Sequence, residues 1–179
     1  MTADLQPIAT AVQRVQSVLG RRPEKGLHDD AAATARWQGG VRMVTSHADG
    51  TQVVTDMPAE LGGTGDQATP GWLFRASLAS CAATCILLAA ATEGLALGAL
   101  DVSVGSRSDT RGLLGMSDEA GRPVSAGPVE LHIHVRIDAP GVAADRLRAL
   151  VEGAMRCSPV PTVVQQATPL PLRLDIAGA

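Results

Sequence analysis

Apolar residues recur with the period of an α-helix in some parts of the chain and alternate with polar residues in others. Over residues 4–19 they recur every three or four positions, which predicts an amphipathic helix. The segment from Thr69-Pro70 to about Glu93 is apolar on nearly all sides, and Gly94 follows it. A helix of that composition is expected to be buried on several sides, so we predict a long central helix.

Short segments of alternating residues predict strands around this helix. Glycine-containing turns at 39–40 and 48–50 separate the first three strands, which favours an antiparallel meander. The predicted strands are 34–38, 41–47, 51–57, 100–109, 129–138 and 170–176, and two further helices are predicted over 142–156 and 159–167. This order is typical of the α+β class. We expect residues 1–30 to form a helical extension with a connector, and residues 31–179 to form the main domain.

Composition excludes several classes of function. The 179-residue chain has a net charge of −3 and only 2% aromatic residues, so it lacks the basic surface and stacking side chains typical of nucleic-acid binding. The first residues lack the basic start and apolar run of a secretory signal. The apolar run 78–91 is too short to predict a membrane span. We therefore expect a cytoplasmic protein with neither nucleic acid nor membrane as a partner.

Three cysteines carry the candidate chemistry. Cys157 stands before Ser158-Pro159, a pair typical of a helix N-cap and first helical residue, and backbone N–H groups at such a junction favour a thiolate. Cys81 lies about three turns into the long helix. Two thiols this far apart in sequence can form a peroxidatic and resolving pair if the fold joins them. The alternative is that both are small buried apolar residues.

Four motifs in a fixed order carry a family resemblance. They are Leu61-Gly62-Gly63-Thr64-Gly65, Thr69-Pro70, Ala79-Ser80-Cys81 and Cys157-Ser158-Pro159-Val160. With this spacing the sequence resembles the OsmC/Ohr family of osmotically induced and organic hydroperoxide resistance proteins over about residues 32–176. The resemblance implies an OsmC-like α+β fold, with antiparallel strands and a long central helix. It also implies an intertwined homodimer with two active sites at the subunit interface.

The resemblance further implies a thiol-dependent peroxidase that reduces organic hydroperoxides. Cys81 would be the peroxidatic cysteine and Cys157 the resolving one, so that a Cys81 sulfenic acid becomes a Cys81–Cys157 disulfide. A dithiol reductant, either a lipoyl protein or a small thiol, would then reduce the disulfide. The family places an arginine beside the thiolate, and Arg42 is the best positional match, with Arg36 as the alternative. No cofactor and no metal are expected.

One position departs from the family. Ten residues before the peroxidatic cysteine the family has a glutamate that orients the arginine, whereas this chain has Gly71. Glu60, in the preceding loop, is the candidate substitute. The departure favours a second hypothesis, a divergent relative that is not a peroxidase and binds a small apolar or thiol-reactive ligand at the dimer interface. Retention of both Cys81 and Cys157 favours the enzyme.

The remaining features have weaker interpretations. His132 and His134 alternate along one predicted strand, where a solvent-facing surface is favoured over a metal site. Cys85 follows Cys81 by four residues, and a disulfide between them within a helix is geometrically poor, so packing is favoured and an alternative resolving role stays open. Residues 72–74 are apolar and form a candidate pocket for the alkyl part of a hydroperoxide.

Overall fold

A computed structural model of the chain describes residues 4–176 and has the predicted α+β architecture. The α-helices are α1 (Gln6–Arg21), α2 (Pro70–Thr92), α3 (Thr110–Leu113), α4 (Ala144–Arg156) and α5 (Pro159–Gln166). The strands are β1 (Thr34–Trp37), β2 (Met43–Ser46), β3 (Gln52–Thr55), β4 (Ala99–Arg107) and β5 (Val129–Asp138). Single turns of 3-10 helix lie at Pro23–Lys25 and Ala59–Leu61.

The long helix α2 begins and ends where the sequence predicts. The Thr69 side chain accepts a hydrogen bond from the backbone N–H of Trp72 (3.1 Å), and Pro70 occupies the first helical position, where its missing N–H costs nothing. At the other end Gly94 adopts a φ of +66°, a left-handed conformation that glycine tolerates best. The predicted helix over these residues is therefore confirmed.

The centre of the fold is α2, which packs against α1, α4, α5 and β4. Its buried residues form one stripe at helical spacing, namely Leu78, Ala82, Ile86, Ala90 and Ala91. By length and composition α2 could cross a membrane, but in this fold it is the core helix. Its other faces keep apolar surface: the side chains of Trp72 and Leu88 are 53% and 38% exposed. Within one chain α2 is thus covered on fewer sides than its composition predicts.

The strands form two separate antiparallel sheets. One is the predicted meander in the order β1-β2-β3, with Val44 paired to both Arg36 and Val54. The other is the hairpin of β4 and β5, which packs on α2. The meander contacts mainly its own strands, and all four β1 residues are exposed. The meander is therefore the part of this chain least anchored to α2.

The predicted strand over 170–176 is wrong for the single chain. These residues have no regular secondary structure, although Leu170, Leu172, Leu174 and Ile176 keep the alternating pattern. All four side chains are exposed, Leu170 by 96%. A strand needs a neighbour for its backbone hydrogen bonds, and the described part of this chain offers none at that position.

The predicted N-terminal helix is present and packs on the end of α2. Leu5 and Ala9 are buried in one apolar cluster with Ala90, Ala91 and Leu97. Burial of apolar surface contributes roughly 25 cal/mol per Å², so this contact stabilises both the helix and the end of α2. Further along α1 the side chains of Val15 and Val18 remain exposed, so its apolar stripe is only partly covered in the single chain.

Candidate functional site

Cys81 lies in the middle of α2, and its sulfur faces the start of α5. Two donors reach it: the Ser158 hydroxyl, with Oγ 3.3 Å from Sγ, and the Val160 backbone N–H, with N 3.5 Å from Sγ. Ser158 is completely buried, while Cys81 is partly buried. Two donors aimed at one sulfur atom stabilise negative charge there better than they stabilise a neutral thiol.

Helix α5 begins where the sequence predicts, but the groups at its start contact Cys81 rather than Cys157. Ser158 is the N-cap residue by position, yet its side chain makes no capping hydrogen bond and donates to Cys81 instead. The free N–H of Val160 in the first turn also points to Cys81. Cys157, which we expected to face these groups, is the C-cap of α4. The positive end of α5 is therefore directed at Cys81.

All three cysteines lie around this junction, and all are free thiols. Cys157 is exposed and directly precedes Ser158, so it lies beside the residue that contacts the Cys81 sulfur. Cys85 is partly buried one turn after Cys81, and its Sγ is 3.8 Å from the Cys157 carbonyl oxygen. The fold thus brings Cys81 and Cys157 to one place, although 76 residues separate them in the chain.

Arg42 follows the first turn of the meander and is held by its own network. Its Nη2 donates to Asp56 Oδ2 (3.1 Å) and Thr64 Oγ1 (2.8 Å), and it also pairs with Asp66. These partners lie at the end of β3 and in the glycine-rich loop that follows. The Arg42 side chain remains about one third exposed. Arg36, the alternative candidate, lies on strand β1, where all four residues are exposed.

Asp56 anchors this network, and sequence reasoning did not identify it. It is only 2% exposed and accepts hydrogen bonds from the Thr64 hydroxyl (2.6 Å), the Thr64 N–H (3.0 Å) and the Met57 N–H (2.8 Å). The Thr64 bonds above all, with that from Arg42, hold the pKa of the Asp56 carboxyl far below its usual range. The usable signal was an aspartate placed directly after a strand and before a glycine-rich loop.

Glycine makes this loop possible. Gly62 has a φ of +82°, and a Cβ added to Gly63 would lie 1.7 Å from the Met57 carbonyl oxygen. A side chain at Gly63 would therefore force the loop away from Asp56. The turn interpretation of the glycine-rich segment explains it without a phosphate ligand, because the close packing brings Thr64 to Asp56 and Arg42.

Gly71, the departure from the family pattern, lies in the first turn of α2. A Cβ built there would be 3.9 Å from Arg75 Nη1, so the position has room for a larger side chain. The carboxylates that contact Arg42 come instead from Asp56 and Asp66. Glu60, the substitute suggested by the sequence, lies in the 3-10 turn of the same loop, but it is not among the Arg42 partners in the described residues.

An apolar cavity of about 260 Å³ lies among α2, the β4–β5 hairpin, α4 and α5. Two of its lining residues adjoin the Cys81 site: Leu78 is three residues before Cys81, and Pro161 follows Val160. Other lining side chains are Val104, Ile133, Met155 and Val164. The candidate pocket at 72–74 is a different surface, and there Trp72 is more than half exposed.

Strand β5 carries the two histidines considered as a metal site, His132 and His134. His132 packs over Gly105, and its Nδ1 is 2.9 Å from the Glu130 carbonyl oxygen. Among residues 4–176 no group of three or more potential ligands could hold a metal ion.

Comparison with known proteins defines the family to which the chain belongs. The sequence model of the OsmC-like protein family matches residues 63–173, which include Cys81, Cys157 and the α5 junction. The chain therefore belongs to the OsmC-like protein family, and the resemblance found in the sequence is confirmed. No curated protein matches the sequence.

Solved structures share this fold at low sequence identity. An OsmC-like protein from Mycoplasma pneumoniae superposes with a TM-score of 0.63 at 17% identity, covering 78% of this chain and 89% of the other. The organic hydroperoxide resistance protein OsmC from Legionella pneumophila gives 0.56 at 21% identity, with 78% and 91% coverage. An organic hydroperoxide resistance protein from Elizabethkingia anophelis gives 0.55 at 21% identity, with 78% and 90% coverage. These similarities confirm the OsmC-like α+β fold.

Proposed function

We propose that this protein is a thiol-dependent peroxidase that reduces organic hydroperoxides. The observation that carries the proposal is the environment of Cys81, whose sulfur accepts hydrogen bonds from Ser158 and Val160 at the start of α5. The thiolate is the nucleophilic form of cysteine, and both donors are placed to hydrogen-bond it. Family membership and the names of two structural neighbours agree with this chemistry.

In the proposed reaction, the Cys81 thiolate attacks one oxygen of the hydroperoxide and the O–O bond breaks. The products are a Cys81 sulfenic acid and an alkoxide, which takes a proton from water to become the alcohol. The Cys157 thiol then attacks the sulfenic sulfur, so a Cys81–Cys157 disulfide forms and water leaves. The position of Cys157, exposed and adjacent to Ser158, supports this step. A lipoyl protein or small thiol returns both cysteines to thiols by exchange.

The proposed substrate class is supported by the cavity that Leu78 and Pro161 line, next to the Cys81 site. Its lining is mostly apolar, including Leu78, Met155 and Pro161, with His132 and Gln165 as polar members. Transfer of an alkyl or aryl group from water into such a site is favourable. Hydrogen peroxide has no such group. We therefore propose that bulky organic hydroperoxides react faster than hydrogen peroxide.

A homodimer would complete the site. The apolar surface left on α2, the alternating exposed side chains of 170–176 and the weakly anchored meander are surfaces that a second copy of this chain can cover. We propose that the meander brings Arg42 to the partner's Cys81, with Asp56 and Asp66 orienting the guanidinium in the role of the missing glutamate. We also propose that the protein acts in the cytoplasm, where dithiol reductants are present.

The second candidate is a relative that binds a small apolar or thiol-reactive ligand without reducing peroxides. Gly71 favours it, as does the engagement of Arg42 by carboxylates within its own chain. The same cavity would hold the apolar part of the ligand. A protein of this kind needs no reactive pair at Cys81 and Cys157.

The deciding experiment is intact-mass analysis of the fully reduced protein after one equivalent of cumene hydroperoxide. We expect loss of two hydrogens and, by peptide mapping of the Cys85→Ser variant, whose only cysteines are Cys81 and Cys157, a Cys81–Cys157 cross-link. The Cys81→Ser variant should leave the hydroperoxide unconsumed, with a rate at least about a thousandfold lower. A parallel run with hydrogen peroxide tests the substrate class. Persistence of both hydroperoxide and the Cys81 thiol would support the ligand-binding alternative.

A further inference from the structure

Cys85 lies against the candidate site but has no part in the two-cysteine cycle. It is on α2 one turn after Cys81, and its Sγ contacts the backbone carbonyl of Cys157 at 3.8 Å. Cys85 is partly buried, while Cys157 is exposed at the end of α4. The Cys85 thiol therefore lies close to both partners of the proposed disulfide.

The environment of Cys85 differs from that of Cys81. Burial raises the pKa of the Cys85 thiol; the Ser158 hydroxyl acts against this shift, and the nearby cysteines Cys81 and Cys157 act with it. A thiol of this kind is protonated at neutral pH and is a poor first nucleophile toward hydroperoxide. Cys81, with its two donors, is the better one.

Geometry selects the disulfide partner of Cys85. Cys81 and Cys85 are on successive turns of one helix, where Cβ atoms are about 5–6 Å apart, whereas a disulfide needs about 3.5–4.5 Å. Cys157 belongs to another element and ends a helix, where the backbone can adjust. The contact of Cys85 Sγ with the Cys157 carbonyl oxygen makes the two residues direct neighbours in the fold.

We propose that Cys85 is a second disulfide partner for Cys157, which takes over the bond from Cys81 after the first turnover. The Cys85 thiol loses its proton to water and attacks the Cys157 sulfur of the Cys81–Cys157 disulfide. A Cys85–Cys157 bond forms, the Cys81–Cys157 bond breaks, and Cys81 leaves as a thiolate. The number of disulfides is unchanged, so the step needs no oxidant or reductant.

The site favours this transfer because the departing group is stabilised. Thiol–disulfide exchange is faster when the leaving thiolate is well stabilised. Here Ser158 and Val160 are placed to donate hydrogen bonds to the Cys81 sulfur as it leaves. The consequence is that Cys81 becomes nucleophilic again while the chain still carries a disulfide. Each subunit could then reduce a second hydroperoxide before any external reductant acts. This consequence rests on the proposed function, whereas the Cys85–Cys157 pairing does not.

The pairing is tested without hydroperoxide, by treating the reduced Cys81→Ser variant with diamide, which oxidises neighbouring dithiols. We expect loss of two hydrogens within one subunit and a cross-link between the peptides that contain Cys85 and Cys157. The Cys81→Ser/Cys85→Ser double variant is the matched control and should form no cross-link within the subunit. A Cys81→Ser variant that stays reduced, or that cross-links only between subunits, would overturn the inference.

The transfer itself is tested by stoichiometry. Without reductant, the wild-type protein should consume about two equivalents of cumene hydroperoxide per subunit, and Cys85→Ser about one. Equal consumption by the two proteins would contradict the transfer. If neither consumes hydroperoxide while diamide still joins Cys85 to Cys157, the proposed function fails and the pairing stands.

Discussion

Cys81 and Arg42, the two principal groups of the proposed site, are held in different ways. Cys81 lies in the core helix, and its sulfur is contacted by a second helix of the same chain. Arg42 lies on a meander that packs little against that core, and its contacts are with Asp56, Thr64 and Asp66. One chain therefore organises the nucleophile, while the cation is pre-oriented on a separate surface. The proposed homodimer would account for this difference, because a second copy would bring the two surfaces together.

The largest expected effect separates a catalytic from a structural role for Arg42. In Arg42→Met the cation is lost, and we expect the rate of cumene hydroperoxide reduction to fall about a hundredfold per folded molecule. Arg36→Met, on the exposed strand β1, is the matched control and should retain the wild-type rate. Circular dichroism would verify the folded fraction. An unchanged rate in Arg42→Met would show that this arginine has only a structural role, in its network with Asp56, Thr64 and Asp66.

The next prediction tests whether the two groups meet across subunits. Neither Arg42→Met nor Cys81→Ser alone should be active, but co-expressed chains can form a heterodimer with one intact site. Random pairing makes about half of the dimers mixed, so activity should recover to about a quarter of wild type. No recovery in a purified heterodimer would place Arg42 and Cys81 of one site on the same chain.

The effect of the donors on the Cys81 sulfur can be distinguished from a general effect on the stability of α5. Ser158→Ala removes the hydroxyl donor but leaves the Val160 N–H, and we expect the second-order rate of hydroperoxide reduction to fall about tenfold. The control is Thr162→Val, since the Thr162 hydroxyl donates to the Ser158 carbonyl and not to Cys81. Equal losses in the two variants would show a general effect on α5 rather than an effect on the sulfur.

The smallest effect concerns stability on the Arg42 side. Because the folded pKa of Asp56 lies below its unfolded value, its contribution is present above about pH 4 and is lost as pH falls toward the folded value. Asp56→Asn should therefore lower the melting temperature by about 3–8 °C at pH 7. The difference from wild type should shrink below about pH 4. Asp66→Asn, on the more exposed carboxylate, should have a smaller effect, and a pH-independent difference would contradict this account.

These regions also differ in how far the sequence predicted them. The long apolar segment and the local signals at Thr69, Pro70 and Gly94 were enough for α2, because composition and capping are local properties. The alternating pattern failed at 170–176, because strand formation depends on a neighbour that periodicity does not reveal.

The candidate site shows the same division. The family motifs identified Cys81, Cys157 and Arg42 as candidates, but they did not identify the groups that contact Cys81 and Arg42. Ser158 was predicted to cap α5, whereas its hydroxyl donates to a cysteine 77 residues earlier in the chain. Asp56 was missed because its pairing with Arg42 depends on how the glycine-rich loop folds. Contacts between residues this far apart in the chain depend on the fold and cannot be predicted from the spacing of motifs.

The most direct test of the central claim uses the Cys157→Ser variant, which lacks the proposed resolving thiol. After one equivalent of cumene hydroperoxide in the presence of dimedone, we predict rapid consumption of the hydroperoxide and a single dimedone adduct at Cys81, found by peptide mapping. Such an adduct would identify Cys81 as the residue that reacts first. An unmodified Cys81 with the hydroperoxide still present, or an adduct at Cys85 instead, would contradict the proposed role of Cys81.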